Sequence, residues 1–414
     1  MATSNYSMYQ LSADHTFHFE ILRALGQSVY DGADLGEVLI TANQIIPGDF
    51  ASFASSFSKL AYKVLGRAKS IAKAKFPVSA RTAFFSAATY FRSADFYLHD
   101  NPSDPRIYEL WGNQTAAFNE GLALLTVPNK RVTIETPDFE IPGIWFTPDE
   151  EDVQRPTIIM GNGYDGSQEE MYHVMGAAAL ERGYNVLTYE GPGMPSVRRY
   201  QEVGFIHDWE RVVTPIVDWL LEKPEVVDPD SIALLGLSFG GYLAPRAAAF
   251  EHRLAAVFAV DGVWDWATVV NTTFPAEAMA IYDSGDKAAF DEHAKRYLEP
   301  GVPIPLRWGL GHGMWAFNTE SAYDFVTLSQ AYRIEPVVDK IQTPVFVGDA
   351  ENDLFFGGQP QLLADALGDR AYLHHFTDED GIGEHCGIGS FKQHNQVIFD
   401  WFQELLESKS SSKT

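Results

Sequence analysis

The sequence predicts an α/β chain: an eight-stranded, mostly parallel sheet with helices on both faces, an all-helical domain ahead of it, and a helical lid inserted late. Three observations predict this. From about Ser12 to Leu125 apolar residues recur at helical spacing. After Asn129 the texture changes to short β-rich runs alternating with helical patterns, the signature of parallel strands joined by crossover helices. Between about Asn271 and Lys340 the alternation is interrupted by an interval containing Pro, Gly, Trp and helical pieces, too long for a simple crossover and suited to a lid over the carboxyl ends of the strands.

In the first part, FASFASSFSKLAYKVLGRAKSIAKA and SARTAFFSAATYFRSADFYL carry the helical pattern, and Pro77 and the NPSDP turn near Asn101 break it into separate helices. Phe84, Phe85, Tyr90, Phe91, Phe96 and Tyr97 crowd one stretch. Such rings line a pocket or pack helix against helix, and the second is the commoner outcome. RVTIE and GIWFT are close enough to pair as an antiparallel start. TIIMG, NVLTYE, SIALLG, AAVFAVD, PVFVGD and AYLHHF follow, each apolar enough to be buried on both faces of a parallel sheet. Helices are expected around 169–182, 209–222, 239–250, 361–367 and 391–406. The division is a helical cap at 1–128, a core at 129–270 and 341–408, the lid at 271–340, and a frayed polar tail at 409–414.

With 414 residues, 46% hydrophobic and 21% charged, the chain can bury a large core. A formal net charge of -26 disfavours nucleic acid and anionic membrane as partners, since approach to either polyanion costs electrostatic work. A small uncharged or apolar molecule fits better. The first residues lack a basic start and a continuous apolar stretch, so they do not read as a secretion signal, and no run approaches the ~18 to 20 apolar residues of a spanning helix. A cytoplasmic location is expected. Cys386 is the single cysteine, which excludes an internal disulfide framework and a cysteine-based structural zinc site. The twelve histidines form no HExxH pattern, so no catalytic metal and no cofactor are expected.

The sharpest chemical signal is SIALLGLSFGGYLAPRAAAF, in which Gly236, Ser238 and Gly240 form GxSxG between a strand and a helix. A serine on that tight turn is exposed at the end of the sheet, and a hydroxyl needs a base to take its proton and an acid to orient the base. The order nucleophile, acid, base selects Asp353 in GDAENDLFF and His385 in DEDGIGEHCGIGS. Asp349 and Glu351 in the same loop are rivals, and Asp261 after the preceding strand is a further alternative acid. His374 and His375 inside a strand and His394, expected to face solvent from the last helix, are the competing bases. The oxyanion donors are expected to be the backbone N–H groups of Phe239 and of Tyr164 in NGYDG, a turn resembling the usual His-Gly-x loop with Asn162 in place of histidine. Glu190 in EGPGM, Asp261, and His312 and Trp315 in the lid interval are candidate substrate contacts, with ordinary loop packing an equal reading for the last two. EGPGM lacks the Gly-Lys-Ser/Thr ending of a phosphate loop.

Taken together, the helical stretch SARTAFFSAATYFRSADFYL followed by GNGYDGSQEE, YEGPGM, GLSFGGYLAPRAA, GDAENDLFF and EHCGIGS resembles the α/β-hydrolases of the 2,6-dihydroxypseudooxynicotine hydrolase group and the fungal polyketide-processing hydrolases of the yellowish-green pigment type, over about Ser12 to Leu406. The resemblance implies cleavage of a carbon–carbon bond beside a ketone, a cap and lid that enclose the substrate, and a homodimer. Ester hydrolysis, intramolecular acyl transfer and a non-hydrolytic cyclisation in the same pocket are the alternatives. A pure binding role fits less well, because a relic serine has no need of an acid and a base in order.

Overall fold

The computed structural model describes residues 8–411. The N-terminal residues weighed as a secretion signal begin outside that range, as do the last three residues of the polar tail. Five helices come first: α1 His15–Gly26, α2 Leu35–Ala42, α3 Phe50–Ser70, α4 Pro77–Asp95 and α5 Arg106–Leu122. Asp14, Asp34 and Asp49 cap the first three by accepting backbone N–H groups, and Pro77 opens α4, where a missing N–H costs nothing. α4 packs between α3 and α5. Its rings and those just after it serve that packing: Phe85 lies 5.0 Å from Phe118, Phe91 5.0 Å from Tyr62, and Tyr97, two residues past the helix end, 4.5 Å from Phe50. α1 is buried almost all round. It runs between the helical layer and the sheet domain, with Phe17 against Phe53 on one side and Phe19 against Phe355 on the other.

The sheet has eight strands: β1 Asn129–Glu135, β2 Glu140–Phe146, β3 Arg155–Gly161, β4 Asn185–Tyr189, β5 Val227–Leu237, β6 Ala256–Val260, β7 Val345–Ala350 and β8 Ala371–Phe376. Their order is β1-β2-β4-β3-β5-β6-β7-β8. β1 with β2 and β2 with β4 are antiparallel, and every other pair is parallel. β4 and β6 are buried throughout, as continuous apolar runs between two helical layers should be. β8 departs from the sequence expectation: it is the edge strand, pairs only with β7, and only Phe376 of its six residues is buried. At the margin of the sheet the surrounding layers cover its residues only in part.

Between β6 and β7 the chain leaves the sheet for the helices Trp266–Thr273, Ala276–Asp283, Lys287–Ala294, Ile304–Ala316 and Ala322–Ser329. The final helix, Phe391–Ser411, continues well past the expected Leu406 into the segment read as a frayed tail. His394 on that helix is fully buried beside Phe376, not turned to solvent, because this side of the helix covers the sheet. No helix among the described residues is long and apolar enough to cross a membrane.

Candidate active site

Ser238 follows the last residue of β5 and precedes the helix Gly240–Ala248, with φ at 58°, a conformation that non-glycine residues seldom adopt. The turn tolerates no side chain at Gly236, where a Cβ would sit 2.0 Å from the Gly240 carbonyl oxygen. The sharp reversal lifts the Ser238 hydroxyl above the carboxyl end of the sheet.

His385 arrives from the loop after β8, and its Nε2 lies 2.9 Å from the Ser238 Oγ. Its Nδ1 lies 2.9 Å from Asp353 Oδ2 and 3.2 Å from Asp261 Oδ2. Asp353, in the loop after β7, also accepts the N–H groups of Phe355 and Phe356 at 2.7 and 2.8 Å, which fixes its carboxylate. The rival acids are occupied elsewhere: Asp349 pairs with the exposed His375, and Glu351 accepts the Asp378 N–H.

Asp261, at the end of β6 with φ at 65°, does not contact the cavity. It accepts from the Cys386 N–H at 3.2 Å and the Cys386 thiol at 2.7 Å, and so forms a second carboxylate behind the imidazole. Asp261, His385 and Cys386 bring donor atoms within 4.8 Å, a spacing an ion could also use, but here those atoms are engaged with one another and with Asp353. Burial acts to lower the His385 pKa, yet the Asp261 and Asp353 carboxylates outweigh it and push it up to about 9. Burial, reinforced by the Asp353 charge, pushes Asp261 up to about 7. Asp353 stays below the ordinary carboxylate range despite its burial, because His385 and the two amides favour its anion.

After β3, the loop 162–166 meets the nucleophile turn so closely that a Cβ on Gly163 would fall 2.6 Å from the Leu237 carbonyl oxygen. Asn162 occupies the Gly163 N–H with its own Oδ1 at 2.8 Å and donates to Glu170 at 3.0 Å. The N–H groups of Tyr164 and Phe239 have no acceptor among the described residues. Two free amides beside a serine held by an imidazole are what stabilisation of an oxyanion requires.

Above Ser238 lies a cavity of about 280 Å³. Its walls are mainly apolar: Phe19 from α1, Leu237, Trp266, Phe274, Leu306, Trp308, Phe325, Phe355 and Phe356 among them. A charged stretch interrupts them, made by Arg23, Asp165 and Glu170 with Asn162 beside them. Arg23 of α1 grips Glu170 through two bonds of 2.6 and 2.7 Å and Asp165 at 2.6 Å, while Arg92 of α4 reaches Asp165 at 3.0 Å and pairs with the buried Glu20. Burial alone would raise Asp165, but Arg23 and Arg92 hold it at about 2. Glu20, where burial prevails over the same arginines, is pushed up to about 7.

The other candidate substrate contacts do not line the cavity, and the α4 rings follow the commoner reading, packing helix against helix. Glu190 lies away from the cavity, its two carboxylate oxygens taken by the Gln168 and Ser196 N–H groups, so it ties the turn after β4 to the start of the helix that follows β3. His312 and Trp315 lie one layer behind the wall: His312 bonds the Tyr164 carbonyl and stacks on Trp308, and Trp315 stacks on His99 at 4.1 Å. None of the α4 rings from Phe84 to Tyr97 reaches the cavity. Sequence reasoning missed Phe19, Arg23, Asp165 and Glu170. The available signal was in α1, where Glu20 and Arg23 sit within a helix whose remaining residues are too apolar for a solvated face.

An eight-stranded sheet of this order with a serine turned out between β5 and its helix defines an α/β-hydrolase, and the chain belongs to the alpha/beta hydrolase family, whose model matches residues 141–387. It is therefore an enzyme of the hydrolase class. Among known proteins it is similar to the hydrolase acrC of Aspergillus aculeatus, 30% identical over 97% of this chain and 99% of that one. It is also similar to the 20-hydroxy-prefusarin hydrolase FUS2 of Gibberella moniliformis, 29% identical with the same coverage. The solved structure of 2,6-dihydroxy-pseudo-oxynicotine hydrolase superposes with a TM-score of 0.71 at 19% identity, over 93% of this chain and 96% of that one, a likeness of fold.

Proposed function

We propose that the protein is a cofactor-free serine hydrolase that cleaves a carbon–carbon bond beside a ketone in a small polyketide-like or aromatic substrate. The observation that carries this is the unbroken contact from Ser238 through His385 to Asp353 beneath a largely apolar cavity. Relatives named for hydrolysis of 20-hydroxy-prefusarin and of 2,6-dihydroxy-pseudo-oxynicotine support the substrate class.

In this mechanism His385 takes the hydroxyl proton as Ser238 attacks the carbonyl carbon. The resulting oxyanion rests on the Tyr164 and Phe239 amides, and the two carboxylates behind His385 stabilise the imidazolium. The carbon–carbon bond breaks, the electron pair leaves on the carbon fragment, and His385 returns the proton to that carbanion. Water, deprotonated by His385, then releases the acid from Ser238. The carbanion needs a neighbouring carbonyl or an electron-poor ring, which is why a β-diketone or aryl ketone suits the site. An ester needs less of its leaving group and passes through the same steps.

The helical region 1–128 and the insertion 271–340 act as cap and lid around the core at 129–270 and 341–408. A homodimer in the cytoplasm, with no nucleic acid or membrane partner, completes the proposal. The test combines β-diketones, aryl ketones and esters with the wild type and Ser238→Ala in heavy-oxygen water. Uptake of one heavy oxygen into a carboxylic acid product, lost with Ser238→Ala, is expected. Full activity of Ser238→Ala overturns the nucleophilic role, and a cyclic product without heavy oxygen replaces hydrolysis by acyl transfer.

A further inference from the structure

Tyr164 is held by a buried hydrogen-bond relay drawn from outside the sheet. His312 of the helix Ile304–Ala316 has its Nε2 3.0 Å from the Tyr164 carbonyl oxygen and its Nδ1 2.9 Å from Nδ1 of His99, which lies just beyond α4. His99 Nε2 lies 3.1 Å from an Arg199 guanidinium nitrogen, and Arg199 pairs with Asp95 at the end of α4.

The Tyr164 carbonyl sets the tautomers from one end of the relay. A carbonyl only accepts, so His312 must carry its proton on Nε2 and accept at Nδ1. With both rings neutral, His99 donates from Nδ1 and accepts at Nε2 from Arg199, whose partner Asp95 also lies 3.3 Å from that nitrogen. Each ring nitrogen in the relay has a partner with both rings neutral, the state that their burial favours. Trp308 stacks on His312 with 14° between planes, and Trp315 stacks on His99 with 11°, so neither ring can swing away. The Asp165 carboxylate, one residue on, is gripped by Arg23 and Arg92. The loop that presents the Tyr164 amide is thus clamped from the insertion on one side and from the N-terminal helices on the other.

We infer that His312 is a positioning residue for oxyanion stabilisation: through the Tyr164 carbonyl it holds the Tyr164 N–H at the angle that the developing negative charge requires. This rests on the proposed role of that amide. A shift of a few tenths of an ångström in a preorganised donor is felt in the transition state and hardly at all in ground-state binding, so the effect belongs in kcat.

The experiment compares His312→Ala, His312→Asn and His312→Gln. Glutamine offers an amide N–H toward Tyr164 and an oxygen toward the His99 donor, whereas asparagine is too short to keep the bond to Tyr164. Turnover of p-nitrophenyl acetate and the rate of Ser238 labelling by a fluorophosphonate, read by intact mass, are measured beside the melting temperature. The expected result is a fall of about ten- to hundredfold in kcat for the alanine and asparagine variants, below the full loss of one oxyanion donor, with KM held within about twofold. Labelling slows in proportion, and the glutamine variant recovers to within about threefold of wild type. A folded His312→Asn with unchanged kcat, a loss confined to KM, or a glutamine variant as impaired as the asparagine one overturns the inference. Ser238→Ala, run in parallel, separates the two levels: if it still turns over the ester, the serine mechanism itself is wrong, whatever His312 does.

Discussion

Two buried histidines, one bonded to Ser238 and the other to the Tyr164 loop, are pushed toward opposite protonation states. His385 and His312 are each 2% exposed, so burial disfavours the charge on both. Around His385 two carboxylates reverse that and push it up to about 9. Around His312 the partner of the ring Nδ1 is another histidine, and burial, aided by that neighbour, pushes it down to about 3. Desolvation alone does not make a base. The charges placed within about 4–6 Å decide which imidazole can take a proton and which can only hold a fixed hydrogen bond.

The most severe way to break this contrast is to remove the group that the basic imidazole serves. Ser238→Ala is expected to lower kcat by about 10⁴-fold or more and to abolish the fluorophosphonate adduct. His385→Ala should do nearly as much to turnover while the protein remains folded. Retention of the adduct in Ser238→Ala would relocate the nucleophile.

Separating the two carboxylates sharpens the comparison further. Asp353 bonds the imidazole at 2.9 Å and is itself fixed by two amides, whereas Asp261 stands at 3.2 Å and shares its oxygens with Cys386. Asp353→Asn is therefore expected to cost about 10²- to 10⁴-fold in kcat, as loss of the orienting anion does in serine enzymes. Asp261→Asn should cost about tenfold or less, because Asp353 still orients the ring. Its mark is a shift in pH dependence. The free base of wild-type His385 accumulates only as pH approaches about 9, so ester turnover climbs through neutral pH; with one carboxylate gone the imidazole releases its proton earlier and the rise moves to lower pH. A rise that stays in place in Asp261→Asn removes Asp261 from the account of the raised value.

The same contrast explains what could be read from the chain. The parallel sheet was legible because its strands are continuous apolar runs. Ser238 stood out because glycines flank it at a fixed spacing between a strand and a helix. Asp353 and His385 followed from chain order, since each lies in a loop that leaves the same end of the sheet. Asp261 was one of several acids in the sequence, and only the fold shows that it backs His385 together with Asp353. His312 read as a possible substrate contact because a histidine among glycines and tryptophans looks the same whether it faces a cavity or stands behind its wall. The rings of α4 drew attention by their number, yet the cavity takes its contribution from α1, where Phe19 and Arg23 sit in a helix buried on nearly every side. Composition reports how many rings a helix has, and tertiary packing decides where they point.

The smallest effect is in stability, where the sign differs between the two histidines. A histidine held neutral by the fold binds fewer protons folded than unfolded. The stability it contributes above about pH 6.5 is lost as pH falls through its folded value, about 3 for His312 and about 4 for His173 and His394. His385 binds its proton more tightly in the fold, so its contribution is complete below about 6.5 and is lost as pH rises through about 9. The slope of the whole protein between about pH 4 and 7 mixes both signs, because Asp261, Glu20 and Glu190, each pushed up to about 7 chiefly by burial, take up protons in the folded state across that range. The informative quantity is the difference between a variant and the wild type. His312→Gln should flatten the loss of stability below about pH 6.5 by up to one proton, about 1.4 kcal/mol per pH unit at most, and leave the alkaline limb alone; His385→Gln should do the reverse. Urea unfolding from pH 4.5 to 9.5 measures both. Equal changes on the same limb for the two variants would mean that the carboxylates do not distinguish these imidazoles.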